Sequence, residues 1–153
     1  MADKDLTDEQ VTEELELLLQ ELRIALPGVQ ILFAFLLTVP FATGFEKGTP
    51  AQKDAYLVAL LCTLVSSVFL IAPTSYHRLR FRHHDDPDKM MRRANMFAIV
   101  GLAFLAMALT ASIFLVGDYL FDRGVAIGLT AAAAVLIAIV WYAIPLRRYL
   151  ETG

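Results

Sequence analysis

The sequence predicts an all-α fold, namely a four-helix transmembrane bundle with an N-terminal cytoplasmic amphipathic helix. Hydrophobic residues make up 58% of the 153 residues, whereas an average soluble domain has roughly 45–50%. Charged residues make up only 19% of the chain, and nearly all of them lie outside four long apolar runs. The first 26 residues differ from the rest because they are acidic and amphipathic.

Four apolar runs predict four membrane-spanning helices, at about residues 28–45, 55–75, 94–117 and 124–146. None of these runs contains Asp, Glu, Lys, Arg or His, and a bilayer core of about 30 Å requires about 20 apolar residues in a helix. A soluble chain of this length would lack the polar surface to cover four such helices. We therefore expect two parts: an amphipathic helix at 1–26 and a bundle at 27–153 with a cytoplasmic hairpin at about 76–93.

Capping patterns predict where the helices begin and end. A capping box joins Thr7 to Gln10 at the start of the N-terminal helix. Gly117 follows the third apolar run, where a glycine commonly ends a helix. N-cap residues are expected before the second, third and fourth spans; they are Thr49 (with Gln52), Asp86 and Asp122.

Basic residues predict the orientation. Ten Lys and Arg lie near one set of span ends and three near the other, and the richer side is normally cytoplasmic. Both termini and the hairpin are therefore expected in the cytoplasm, with the chain in a bacterial plasma membrane. The first residues are acidic, so we do not expect a signal peptide.

The N-terminal helix carries a heptad seam and an acidic face. The seam consists of Val11, Leu15, Leu18, Leu22, Ala25 and Val29. An acidic helix is repelled by anionic lipid, so its leucines need a protein partner. That partner is either the same helix in another subunit or the basic region at 78–93 of its own chain. Pro27 and Gly28 then predict a break or kink before the first span.

The uncharged spans disfavour an ion-coupled carrier, because such carriers generally hold ionisable residues inside the membrane. Hydroxyl side chains in or near the spans either line a pore or bond to helix backbones, and we favour the second interpretation. These residues are Thr38, Thr43, Thr63, Ser66, Ser67, Thr110, Ser112 and Thr130.

Small residues in the fourth span predict close helix packing. One row consists of Gly124, Gly128 and Ala132, and a second row runs beside it at Ala126, Thr130, Ala134 and Ala138. The first row packs either inside the bundle or against another copy of the chain.

Polar residues near the cytoplasmic ends of the spans form the candidate site, a cluster of Arg23, Gln30, His77, Arg78 and Asn95. Gln30 and Asn95 could bond to each other if their helices are neighbours. Basic residues that could contact anionic lipid headgroups or a partner are Arg80, Arg82, Arg92 and Arg93. The histidines and aspartates at 77–88 have no metal-ligand spacing, so we expect neither a metal nor a cofactor.

The segments "ELLLQELRIALPGVQILFAFLLTVPF", "IAPTSYHRLRFR" and "RRANMFAIVGLAFL" resemble an uncharacterised family of small bacterial four-pass integral membrane proteins. The resemblance covers about residues 15–120. It implies a domain of unknown function, and some members of the family carry the label sodium/proton antiporter.

The function expected from these features is that of a non-enzymatic membrane scaffold or accessory subunit. Its partners would be the lipid bilayer and either further copies of itself or another membrane protein. A small channel or carrier for ions or a small solute is the alternative. No nucleophile–base pair or phosphate loop indicates an enzyme, and the net charge of −3 does not favour nucleic acid.

Overall fold

The computed structural model describes the backbone of residues 2–80 and 87–143, and the side chains of Glu13, 16–74 and 91–143. The described chain is almost entirely helical and contains no strand. Four α-helices make up the fold: α1 (Ala2–Thr38), α2 (Pro50–Arg80), α3 (Pro87–Leu120) and α4 (Arg123–Ala138). Two short 3₁₀ turns, Val39–Phe41 and Phe45–Lys47, connect α1 to α2, and a π-helical turn, Ile139–Ala143, follows α4. The prediction of an all-α fold is confirmed.

Each helix is long and apolar enough to cross a membrane. The candidate spans are Glu16–Phe41, Pro50–Thr74, Met91–Leu120 and Arg123–Ala143. Each one overlaps a span predicted from the sequence, so the prediction of four membrane-spanning helices is confirmed.

Helix α1 runs without interruption through Pro27, so a break at Pro27 and Gly28 is wrong, and the alternative of a kink stays a prediction. Proline removes one backbone donor from a helix interior, but the residues on either side of it share one buried face. Leu22 is 6% exposed and Val29 is 1% exposed, and this common burial favours a single helix. The predicted start at Thr7 is also wrong, because α1 begins at Ala2.

The first of two compact units consists of Met1–Phe35 and Thr63–Leu105. Its core contains Leu22 and Val29 of α1, Leu70 of α2 and Ala98 of α3. Leu22 and Val29 belong to the predicted heptad seam, so this part of the seam packs inside its own chain. It contacts apolar segments of α2 and α3, whereas most of the basic region at 78–93 lies outside the described side chains.

Helices α2 and α3 approach closely at Gly101 in this unit. A β-carbon added to Gly101 would lie 2.7 Å from Leu70 Cδ2, which is too close for two carbon atoms. Ser66 Oγ donates a hydrogen bond of 2.8 Å to the carbonyl oxygen of Gly101. A small residue and an interhelical hydrogen bond therefore meet at one point, as is common in membrane helix packing.

The second unit consists of Leu36–Cys62 and Ala106–Gly153. Gly117 lies inside α3, which continues to Leu120, so the prediction that Gly117 ends the helix is wrong. Its role is packing, because a β-carbon there would lie 3.2 Å from the Cα atom of Ala126 in α4. Ala126 itself is fully buried. The requirement for glycine thus comes from a neighbouring helix.

The predicted start of α2 is confirmed in atomic detail. Thr49 N donates to Gln52 Oε1 at 3.1 Å, and Gln52 N donates to Thr49 Oγ1 at 3.3 Å, which completes the capping box. Asp122 occupies the N-cap position of α4, although its side chain makes no capping hydrogen bond. Asp86 lies outside the described residues, and α3 begins at the following Pro87.

Candidate functional site

The predicted polar cluster is only partly described. Arg23, Gln30 and Asn95 are all exposed, and no hydrogen bond joins Gln30 to Asn95 among the described side chains. The backbones of His77 and Arg78 lie in α2, but their side chains are outside the described set. The described side chains therefore do not form the Gln30–Asn95 contact that the sequence suggested.

Two of the four predicted lipid-contacting arginines are described. Arg92 and Arg93 are exposed near the beginning of α3. Arg80 is the last residue of α2 and its side chain is not described, while Arg82 lies wholly outside the described residues. Arg92 and Arg93 are thus placed where solvent or a headgroup could reach them.

The two rows of small residues on α4 have different surroundings. Gly124, Gly128 and Ala132 are all exposed, and a β-carbon added to Gly128 would meet no atom within 4 Å. Ala126, from the second row, is fully buried. Ala126 of the second row therefore makes a packing contact within the chain, and the first row faces outward from it.

Hydroxyl side chains of the spans bond to backbone carbonyls. Ser66 bonds across to α3, and four others bond to the carbonyl four residues earlier in their own helix. These four are Ser67, Thr110, Ser112 and Thr130, with donor–acceptor distances of 2.7–2.9 Å. Such bonds satisfy the hydroxyl hydrogen inside the protein.

A partly buried polar network, which we call the Asp118 cluster, consists of Thr49, Gln52, Asp118 and Arg123. Gln52 Nε2 donates to the backbone carbonyl oxygen of Asp118 and to its carboxylate Oδ2, both at 3.0 Å. Arg123 Nε donates to Asp118 Oδ1 at 3.2 Å. The cluster joins the beginning of α2, the end of α3 and the beginning of α4.

The Asp118 carboxylate is almost enclosed by protein. Its side chain is 6% exposed, whereas the side chain of Arg123 is 58% exposed. Gln52 is also buried, at 8% exposure. Each oxygen of the carboxylate accepts a hydrogen bond, and the donor to Oδ1 is the cationic side chain of Arg123. A buried charge requires such hydrogen bonds and a partner of opposite charge.

Sequence reasoning missed this cluster because it ended the third span at Gly117. It therefore left Asp118 outside the membrane, and it explained Gln52 only as a capping residue. One feature of the sequence could have indicated the pairing of Gln52 with Asp118. The capping box uses Gln52 Oε1 and leaves the two amide hydrogens in need of an acceptor, and Asp118 is the only acidic residue between 94 and 121.

A cavity of about 260 Å³ lies beside the Asp118 cluster. Its lining is largely apolar and includes Phe45, Gln52 and Tyr119. Gly44 lies between the lining residues Thr43 and Phe45 in the chain; it has a left-handed φ of 106°, and a β-carbon there would lie 3.2 Å from the Tyr119 hydroxyl. The cavity could hold a small apolar group next to one polar amide.

A larger groove of about 490 Å³ is lined by parts of α2, α3 and α4 and by the π-helical turn. Its only hydroxyl groups besides that of Tyr142 belong to Thr110 and Thr130, and both bond to their own helices. The groove is therefore an apolar surface. No group of three His, Cys, Asp or Glu in the described part of the chain could hold a metal ion.

Comparison with known proteins gives one match. A family model described as a family of unknown function (DUF6328) matches residues 4–145. No curated protein matches the chain, and no solved structure matches it.

Proposed function

Because the chain belongs to the DUF6328 family, a family of unknown function, we propose a function from its own geometry: it is a non-enzymatic membrane scaffold or accessory subunit. Its work would be to hold partner proteins or lipid at fixed positions in the bilayer.

The observation that carries this proposal is the direction of the hydroxyl hydrogen bonds. Five serine and threonine side chains in the spans donate to helix carbonyls. A path for ions or polar solutes needs polar groups that are turned toward the path. Hydroxyls that donate to backbone carbonyls instead hold two helices together or satisfy their own hydrogen-bonding requirement within one helix. Both are consistent with a structural role.

The Asp118 cluster supports the same proposal. Gln52 and Arg123 occupy both oxygens of the Asp118 carboxylate, so the charge is used to connect three helices. A structural cross-link of this kind keeps the helix ends in a fixed arrangement, and a scaffold requires such a fixed arrangement.

Lipid and orientation belong to this proposal too. With both termini in the cytoplasm, Arg92 and Arg93 would lie at the inner leaflet, where they are exposed and could bind anionic headgroups at about 1 kcal/mol each. The membrane would be the bacterial plasma membrane.

A small channel or carrier is the second candidate, and Asp118 is the observation that favours it. Its buried carboxylate lies within the candidate span Met91–Leu120, and Gln52, its hydrogen-bond partner, lines the cavity of about 260 Å³. Ionisable residues inside spans are typical of ion pathways. In this function Asp118 would exchange its present partners for a transported cation.

One experiment separates the two candidates. The intact protein is purified in mild detergent for native mass spectrometry, and the same sample is placed in lipid vesicles for cation and proton flux. A scaffold is expected to retain defined partners or copies and to give the flux of empty vesicles. Flux that requires Asp118, measured against Asp118→Asn, would overturn the scaffold proposal.

A further inference from the structure

We propose that one face of α1 binds the same face of a second copy of this chain, with the two Gln30 amides hydrogen-bonded to each other. We call it the Gln30 face; it consists of Arg23, Pro27, Gln30 and Ala34. This inference rests on the proposed scaffold function and deepens it by naming the partner at one surface.

The Gln30 face is a continuous stripe that the chain itself does not use. Its residues recur at spacings of four, three and four, which places them along one side of a helix. All of them are exposed. The buried side of α1, by contrast, contains Leu22 and Val29. Helix α1 thus packs on its own chain with one side and leaves the Gln30 face open.

Gln30 is the amide that requires a partner on this face, whereas Arg23, its other polar residue, lies about two turns nearer the beginning of the span. It lies inside the candidate span Glu16–Phe41, its side chain is exposed, and no described residue is hydrogen-bonded to it. Exposed apolar neighbours such as Ile24 and Ile31 can pack against lipid tails. Hydrocarbon, however, offers no hydrogen-bond partner to an amide. A polar group from another membrane helix would satisfy it.

A second copy of the chain supplies that group at the right depth. Copies inserted in one orientation have parallel α1 helices, and a twofold axis along the membrane normal then places Gln30 opposite Gln30. A carboxamide carries both donors and acceptors, so two amides can form reciprocal hydrogen bonds. The alternating spacing is that of a left-handed helix pair, and the small Ala34 permits close approach.

Cysteine cross-linking in native membranes tests the contact. The full chain carries Cys62→Ala, so that its single cysteine is removed, and then either Gln30→Cys or Ile24→Cys. Ile24 is 76% exposed on the same helix but lies about 120° around it from Gln30. Mild oxidation is expected to convert Gln30→Cys into a covalent dimer and to leave Ile24→Cys mostly monomeric. Equal cross-linking of the two would overturn the inference.

A binding measurement tests the amide itself. Energy transfer between labelled copies in vesicles of increasing lipid content gives the dissociation constant. Gln30→Leu is expected to weaken association about threefold to twentyfold for each hydrogen bond lost, and Gln30→Asn to retain part of it. Gln30 is exposed, so neither change should disturb the fold. An unchanged constant in Gln30→Leu would overturn the inference.

Asn95→Leu is the matched control, because Asn95 is an exposed amide of the same unit that lies on α3 instead of α1. It is expected to leave the dissociation constant unchanged. If Asn95→Leu separates the copies and Gln30→Leu does not, the interface lies on α3 and the inference is wrong. A chain that stays monomeric at every dilution also refutes it, whereas the scaffold proposal fails separately, through Asp118-dependent flux.

Discussion

Leu70 of α2 lies directly over Gly101 of α3, so that a β-carbon on Gly101 would be 2.7 Å from Leu70 Cδ2 and 2.8 Å from Leu70 Cγ. Leu70 is fully buried and belongs to the core of its unit, so its side chain cannot turn out into solvent. The hydrogen bond from Ser66 to Gly101 O fixes the same approach one turn earlier on α2. Gly101 is therefore a packing requirement.

Gly101→Ala should destabilise the protein. The added methyl group overpacks the contact with Leu70 at about 1–3 kcal/mol, and the higher helix propensity of alanine returns only about 1 kcal/mol. We expect a net loss of up to about 2 kcal/mol, measured as a lower midpoint of unfolding in a denaturing-detergent titration.

Gly128→Ala is the control for Gly101→Ala. Both glycines lie inside helices, but a β-carbon on Gly128 meets nothing within 4 Å. Its substitution should therefore be neutral or stabilising by up to about 1 kcal/mol. If the two variants shift the unfolding midpoint in the same direction and by the same amount, the packing role of Gly101 is wrong.

Asp118→Ala should cost about 1–3 kcal/mol, chiefly because it leaves the buried amide of Gln52 without its side-chain acceptor. Arg123 adds less, because its side chain is 58% exposed and can be solvated by water. Thermal unfolding followed by circular dichroism would measure the loss. Asp122→Ala serves as the control, since Asp122 is exposed and its side chain makes no capping hydrogen bond.

A double-mutant cycle isolates the Gln52–Asp118 contact. If Gln52→Ala and Asp118→Ala are coupled, the double variant should lose less stability than the sum of the single variants. Strict additivity would mean that the two side chains stabilise the protein independently, which is inconsistent with the 3.0 Å hydrogen bond from Gln52 Nε2 to the Asp118 carboxylate.

Features encoded by neighbouring residues could be predicted from the sequence. The capping box of Thr49 and Gln52 needs only four residues, and the four spans follow from the lengths of apolar runs. The predicted helix break at Pro27 and the predicted helix end at Gly117 were wrong because tertiary packing decides both positions. Leu22 and Val29 bury one face of α1 on both sides of Pro27, and Gly117 is needed by Ala126 of the next helix.

The Asp118 cluster could not be assembled from the sequence, because its members are far apart along the chain. Gln52 and Asp118 are separated by 66 residues, and only the packing of α2 against α3 brings them together. In the same way, a contact between Gln30 and Asn95 can be predicted only when it is known which faces of α1 and α3 meet. Periodicity identifies an apolar face, but it does not say which other helix covers that face.

The orientation predicted from basic residues can be checked with single cysteines in a Cys62→Ala chain. Glu46 lies between α1 and α2 and is exposed, so Glu46→Cys should react with a membrane-impermeant maleimide added to intact cells. Glu13→Cys, also at an exposed position, should react only after the cells are opened. The reverse labelling pattern would place both termini outside.

The two rows of α4 should respond differently to a large side chain. Ala126 is fully buried and lies against Gly117, so leucine there forces α3 and α4 apart and should cost about 1–3 kcal/mol, with a corresponding drop in the melting temperature of the purified protein. Gly128→Leu places the same side chain where nothing lies within 4 Å, so the melting temperature should stay unchanged or rise.

The oligomeric size of both variants, measured in the same preparation, adds a second comparison. If Gly128→Leu breaks up an oligomer and leaves the melting temperature unchanged, the outward row binds another chain. If both variants unfold at the same lowered temperature, Gly128 is packed inside the protein and the separation of the two rows is wrong.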